Sequence, residues 1–279
     1  MSVTFLKPDT TPQLFPLNDE VGQSFVGGRS LKELQEDLWS ELTCYENTWI
    51  SAADYLEFME TGATRIISKS GELLAWRGKG GGTEVVSEGD SFLIRYAWDL
   101  LEVNAQSLSN FTANRIDGVV HSAVHVDGAL IVGAGTKVLP GVYVEGTVFI
   151  GENCKIGPNC YLRGSTSIGN NCHVGQSVEV KNSILGHGTS VGHLSYVGDS
   201  ILGEKVNFGA GTTTSNLRHD NGNHRSMIEG ELIDTGRRKF GTVIGSGVHT
   251  GIHTAIYPGR KIKAGGTTLP NETVTTDII

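Results

Sequence analysis

From Val126 onward an aliphatic residue recurs at every sixth position: Val126, Val132, Val138, Val144, Ile150, Ile156, Leu162, Ile168, Val174 and Val180. The register slips by one residue to Leu185, Val191 and Val197, and again to Leu202 and Phe208. Beyond an interruption it resumes as Ile244, Ile256 and Ile262. An internal period of this length takes precedence over any local reading of helix or strand. Three six-residue strands closing a triangular coil put one branched side chain per face into the interior, and glycine supplies the tight corners, as in Ile150-Gly151 and Ile168-Gly169. About eighteen residues then make one coil, with residues one coil apart stacked at the spacing of neighbouring strands, about 4.8 Å. Stability becomes a nearest-neighbour sum along one axis.

Glycine use agrees with a chain built in two ways. Of the 38 glycines, 28 fall after Asp117, so the repeat occupies the second half and a different architecture the first. Four cysteines, Cys44, Cys154, Cys160 and Cys172, form no CxxC pair and are too few for a disulfide scaffold. The last three stand four positions after an inward aliphatic, where a compact apolar group packs. With 22 Lys+Arg against 30 Asp+Glu, the formal charge is −8, which argues against broad binding of nucleic acid or an anionic membrane surface. No apolar run reaches the roughly 20 residues of a membrane span, and Met1 to Leu14 lacks a basic region followed by an apolar stretch. The expectation is a cytoplasmic protein.

Residues 1–110 read as a small α/β domain. Ser30 is placed to cap a helix through Leu42, with Leu31, Leu34, Leu38, Trp39 and Leu42 at helical spacing. A second helix is expected near Ser91 to Leu108, and Thr64–Ile67 and Glu72–Trp76 read as strands. The glycine-rich stretch Gly78 to Thr83 lacks the GxxxxGK[ST] spacing of a phosphate loop and reads as a loop or hairpin.

Since period six accounts for scaffold positions, residues that break it are the ones to ask about chemistry. The densest group runs Gly192-His193-Leu194-Ser195-Tyr196-Val197-Gly198-Asp199, then Asn207-Phe208-Gly209-Ala210-Gly211-Thr212, then Ser215-Asn216. Here the sequence resembles the acetyltransferase domain of the bifunctional sugar-1-phosphate nucleotidyltransferase/amino-sugar-1-phosphate N-acetyltransferases, in their archaeal-type branch. The resemblance implies a mainly β fold, a left-handed parallel β-helix over residues 118–275, with a projecting loop inserted at 217–241. The segment Phe92 to Asn104 is similar to the close of the family's nucleotidyltransferase domain. Residues 1–30 contain nothing like that domain's nucleotide-binding loop, so the first domain reads as a shortened, nucleotidyltransferase-like one.

The resemblance also implies roles. His193 would be the general base, a task suited to an imidazole with its ordinary pKa near 6.5, and Asn216 would orient the substrate amine. Tyr196, Asn207 and Lys239 would contact the sugar phosphate, with Arg163 and Lys181 binding phosphate. Backbone N–H groups at Gly209 and Ala210 would stabilise an oxyanion on the acetyl-CoA thioester. The implied activity is acetyl-CoA-dependent N-acetylation of an amino-sugar phosphate such as glucosamine-1-phosphate, without a metal, by a homotrimer whose sites draw on adjoining subunits. A non-catalytic trimeric sugar-nucleotide-binding protein and residual sugar-1-phosphate nucleotidyl transfer stay open beside it. His121/His125 and His249/His253 are each four apart, a spacing that suits helical metal ligands but does not aim two imidazoles at one point in a period-six coil.

Overall fold

The computed structural model describes residues 3–17, 20–78 and 81–279, and divides into two compact units. The second consists of Phe15–Leu17, Phe25–Gly28 and Leu100–Ile279 and is a parallel β-helix. Its inward residues stack in three columns, one per face. Val126, Val144, Leu162, Val180 and Val197 lie in one. Val138, Ile156, Val174, Val191 and Phe208 form the second. The third runs Val132, Ile150, Ile168, Leu185, Leu202, Ile244 and Ile262. The period-six expectation is borne out, since these columns form one continuous core that also takes in Cys154, Cys160 and Cys172. Burial pushes the Cys160 thiol up to about 12, as expected of a packing residue.

The slips in register have a simple cause. Early coils pair residues eighteen apart, as Val126 with Val144, whereas Ile168 pairs with Leu185 and Leu185 with Leu202, seventeen apart. A coil that drops one corner residue still stacks its hydrophobic strand positions in line. Many corners are turned by Asn or Asp in the left-handed region, among them Asn153, Asn171, Asn182 and Asp199. These side chains tolerate that conformation better than other non-glycine residues.

Leu202 pairs with Ile244, 42 positions on instead of 17 or 18, so one corner carries about 25 extra residues. Within them Arg225–Ile228 and Glu231–Asp234 form an antiparallel hairpin. Its turn, Glu229-Gly230, has φ of 47° and 88°, the pattern of a tight two-residue hairpin turn. Leu217 and Lys239 close the root as an antiparallel bridge. The hairpin is tied back to the last coils by Ser226 Oγ donating to the Gly259 carbonyl at 3.0 Å and by the buried Lys261 ammonium donating to the Met227 carbonyl.

The first unit comprises residues 3–14, 20–24 and Arg29–Asp99. It holds a mixed five-stranded sheet in the order Thr4–Leu6, Thr43–Tyr45, Leu73–Trp76, Arg65–Ile67, Glu84–Val86. The expected strands are present. Helix α1 spans Leu31–Leu38 and starts at Ser30 with a full capping box to Glu33, which satisfies two otherwise orphaned N–H groups. It stops four residues short of the expected Leu42, because Trp39 turns extended and packs its ring 5.6 Å from that of Trp49. Helix α2, Ala52–Thr61, was not expected, although Ser51 caps it and Gly62 ends it at φ 67°. The last helix, α3, covers Asp99–Ser109 and not Ser91–Leu108, and from Leu100 on it belongs to the second unit. The Asp99 carboxylate accepts the N–H groups of Arg95 and Tyr96 and holds the chain in a turn there. Two residues of the Gly78–Thr83 stretch, Lys79 and Gly80, lie outside the described residues, and so does any test of its loop reading. No described helix is long and apolar enough to cross a membrane.

Candidate active site at two corners of the coil

Glu145, Arg163, Lys181 and Gly198 occupy one column, directly above one another on successive coils. Ending this run in glycine is a steric requirement. A Cβ at position 198 would lie 2.3 Å from the Tyr196 hydroxyl, so the phenol crosses the coil only because nothing projects there. It meets Asn216, whose Nδ2 donates to the Tyr196 hydroxyl at 2.9 Å and also to the Asp199 carboxylate. Asp199 turns the corner at φ 50° and takes the Lys181 ammonium on both oxygens, at 2.8 and 3.2 Å, with Asn182 Nδ2 at 3.2 Å.

The charged pair at the heart of this cluster is buried. Lys181 is 8% and Asp199 2% exposed, so each charge depends on the other, and the added amide donors complete the carboxylate's hydrogen bonding. Burial, then the Asp199 and Glu179 carboxylates, raises the Tyr196 phenol above its ordinary pKa. The phenol therefore keeps its proton and is available as a donor. Arg163 lies one coil from Lys181 but is paired with Glu179 at 2.8 Å, its guanidinium 5.1 Å from the centre of the Tyr161 ring.

The remaining expected site residues lie on the preceding face and its corner. His193 ends the strand Ser190–His193 and is exposed; among the described residues its ring has no hydrogen-bond partner. Its backbone pairs with Gln176, and its carbonyl accepts from Gly211. Asn207 is on the same face, next to Ser190 and exposed. Gly209 follows the strand Asn207–Phe208. Its N–H already donates to the Thr250 carbonyl at 3.2 Å and hydroxyl at 2.9 Å, and a Cβ there would lie 2.6 Å from Gly251 backbone. Gly209 is thus a stacking residue with no N–H to offer an oxyanion, whereas the Ala210 N–H has no hydrogen-bond partner among the described residues.

Within one chain hydrogen bonds join Lys181, Tyr196 and Asn216 through Asp199, with Arg163 alongside, and the His193 ring makes no hydrogen bond to any of them. His193 ends one strand and Tyr196 opens the next, Tyr196–Gly198. Lys239 sits at the root of the insertion, paired through its backbone with Leu217, and is exposed; it has no ion-pair partner among the described residues.

Two residues of this region were not singled out from sequence. Asp199 is the hub of the network, and its signal was present as a charged residue in a repeat whose neighbours are inward aliphatics. His224 belongs to the insertion, is 2% exposed, and its Nε2 lies 3.0 Å from the Asn216 carbonyl. Burial lowers its pKa, outweighing the opposing effect of that hydrogen bond. Neutral imidazole protonated at Nε2 then donates to Asn216 and holds the residue's backbone. No period marks His224, because the insertion breaks the repeat. Among the described residues no group of three or more His, Cys, Asp or Glu side chains is placed to hold a metal ion.

The family model of the GMPPB C-terminal domain matches residues 126–213 and 144–278. A bifunctional sugar-1-phosphate nucleotidylyltransferase/acetyltransferase of Sulfurisphaera tokodaii is 41% identical over 181 residues, 65% of this chain and 45% of that one. The bifunctional protein GlmU of Methanococcus aeolicus is 39% identical over 165 residues, 59% of this chain and 40% of that one. The matched region is thus less than half the length of either curated relative. Among solved structures, the acetyltransferase domain of PglB from Neisseria gonorrhoeae is 16% identical with a TM-score of 0.31, covering 47% of this chain and 62% of that one.

Proposed function

From the premise that the chain belongs to the GMPPB C-terminal domain family, we propose that its β-helix is an acetyl-CoA-dependent N-acetyltransferase acting on an amino-sugar phosphate. The observation that carries this reading is the Tyr196–Asn216–Asp199–Lys181 network, which presents a half-buried phenol donor and an oriented amide at one corner. The similarity to the two bifunctional relatives supports it. In the proposed step the sugar amine attacks the thioester carbonyl and His193 accepts its proton. The N–C amide bond forms, the C–S bond breaks, and coenzyme A leaves as the thiol with that proton. The Ala210 N–H is the remaining backbone donor for the oxyanion. Tyr196 and Asn216 hold the sugar, Asn207 adds a further contact, and Lys239, free of any carboxylate partner among the described residues, is better placed than the paired Lys181 to meet a phosphate.

His193 stands one corner away from Asn216, so the reading requires a second copy to bring an imidazole to that amide. The proposed assembly is the homotrimer. The test is thiol release from acetyl-CoA in the presence of glucosamine-1-phosphate, with the mass in solution measured by sedimentation. The expected result is a trimer with turnover that His193→Ala abolishes without changing its mass. Binding of both ligands with no thiol release by the unaltered protein would replace this reading with a non-catalytic binding protein. Pyrophosphate release from UTP and a sugar phosphate would instead reveal nucleotidyl transfer.

A further inference from the structure

Where the inserted hairpin meets the last coils lie two adjoining cavities that the proposed reaction leaves without a role. The larger, about 490 Å3, is walled by Ser215, Leu217, Arg218, Tyr257 and Pro258 among others. The smaller, about 330 Å3, shares Arg218, Tyr257 and Pro258 and adds Arg225, Arg260 and Thr275. Each is of the size that small-molecule sites occupy. Ser215 places the larger one next to Asn216 in the chain.

The charge of the wall is one-sided. Arg218 is paired with Asp220. The Arg225 guanidinium has no polar partner among the described residues. Among the described residues Arg260 donates only to backbone, to the carbonyls of Pro258 and Arg225 at 3.3 Å each. His224, also in this wall, is biased toward its neutral form by burial and sets no charge against them. Three guanidinium groups therefore face one carboxylate, in a chain of formal charge −8. Planar cations without carboxylate partners suit phosphate oxygens, which they engage through paired N–H donors. Between the two cavities Tyr257 is 53% exposed, with Leu217 at 42% and Leu232 at 50%. These supply the flat apolar surface on which an aromatic base stacks.

We propose that the joined cavities bind the nucleoside-diphosphate moiety of a substrate, phosphates against Arg225 and Arg260 and base against Tyr257. Two substrates carry that chemistry, an acyl-coenzyme A through its nucleotide and a nucleotide-linked sugar. The proposal rests on the acyl-transfer reading for the source of the nucleotide only, and not for the binding itself.

Isothermal titration of the full chain with inorganic phosphate, UDP, UDP-glucose and coenzyme A tests it. The expected result is a nucleoside diphosphate bound at least tenfold more tightly than inorganic phosphate. Arg225→Gln and Tyr257→Ala should each weaken it about tenfold while leaving the thermal midpoint in place, since neither side chain has a polar bond among the described residues. Competition of coenzyme A with UDP identifies the acyl donor as the source, and tighter binding of UDP-glucose than of coenzyme A identifies a nucleotide sugar. Nucleotides bound no better than inorganic phosphate, or titrations unchanged in both variants, would overturn the proposal. Thiol release separates the two readings. Its absence alongside Arg225-dependent nucleotide binding removes acyl transfer alone, and its presence with nucleotide binding insensitive to both substitutions removes this site alone.

Discussion

Asp199→Asn keeps the size of the side chain and its tolerance of the left-handed corner, and removes one charge. In the native protein Lys181 and Asp199 are 8% and 2% exposed, with Nζ 2.8 Å from the carboxylate. The amide oxygen of the variant still accepts from Asn182, but the Lys181 ammonium is left buried without a counter-charge. Breaking a buried pair in this way costs about 3–5 kcal/mol. For a unit of this size each 1 kcal/mol moves the thermal midpoint by about 2–4 °C, so the expected drop is roughly 6 to 20 °C. Circular dichroism during heating and urea titration reads it. Hydrogen exchange should place the loss in the coils around Lys181 and Asp199, as nearest-neighbour stacking requires. The double variant Lys181→Met/Asp199→Asn removes both charges, keeps a residue that tolerates φ 50° at the corner, and should recover most of the stability while remaining without Asn216 orientation. An Asp199→Asn protein within 1 kcal/mol of the native one would show that the pair is hydrated and that the network argument is unsound.

Gly198→Ala puts a methyl group where the Tyr196 phenol now passes. We expect the ring to swing away at a cost near 1 kcal/mol for its lost hydrogen bond and the KM for the sugar to rise; Tyr196→Phe added to this background should have no further effect on KM. His224 has a pKa lowered from 6.5 in the folded state, so below that value the unfolded chain binds the extra proton first. Stability therefore falls as pH falls from about 6.5 through the lower folded value, and urea midpoints measured from pH 7.5 to 5 should show a shallower decline in His224→Gln.

Sequence and structure agree best where one physical rule acts alone. An inward aliphatic every sixth residue has one way to be buried in a stacked coil, and Val132 through Ile262 are where the period puts them. Ser30 likewise marks its helix through a local bond. The rule weakens where tertiary packing decides, as at Trp39, whose contact with Trp49 ends α1 early. At the site, the motif around His193, Tyr196 and Asn216 was legible, and three of the expected residues meet through it. The role of Asp199 as hub was not, because it depends on Lys181 one coil to one side and Asn216 one coil to the other. That the Gly209 N–H is taken up by its stacking partner, Thr250, has no mark in the sequence. His224 carries no signal at all until the hairpin is seen folded against the corner.

The extra segment leaves and rejoins the prism at a single vertex, and Leu202 still finds Ile244 across it. Rungs above and below are indifferent to how many residues are spliced there. Outside the points where His224, Ser226 and Met227 fasten it to the coils, length, charge and shape of the excursion are then free variables, while the rod that carries the imidazole and the amides is held constant. A chain so arranged can exchange what it recognises by rewriting some two dozen residues, with no rung of its ladder redrawn.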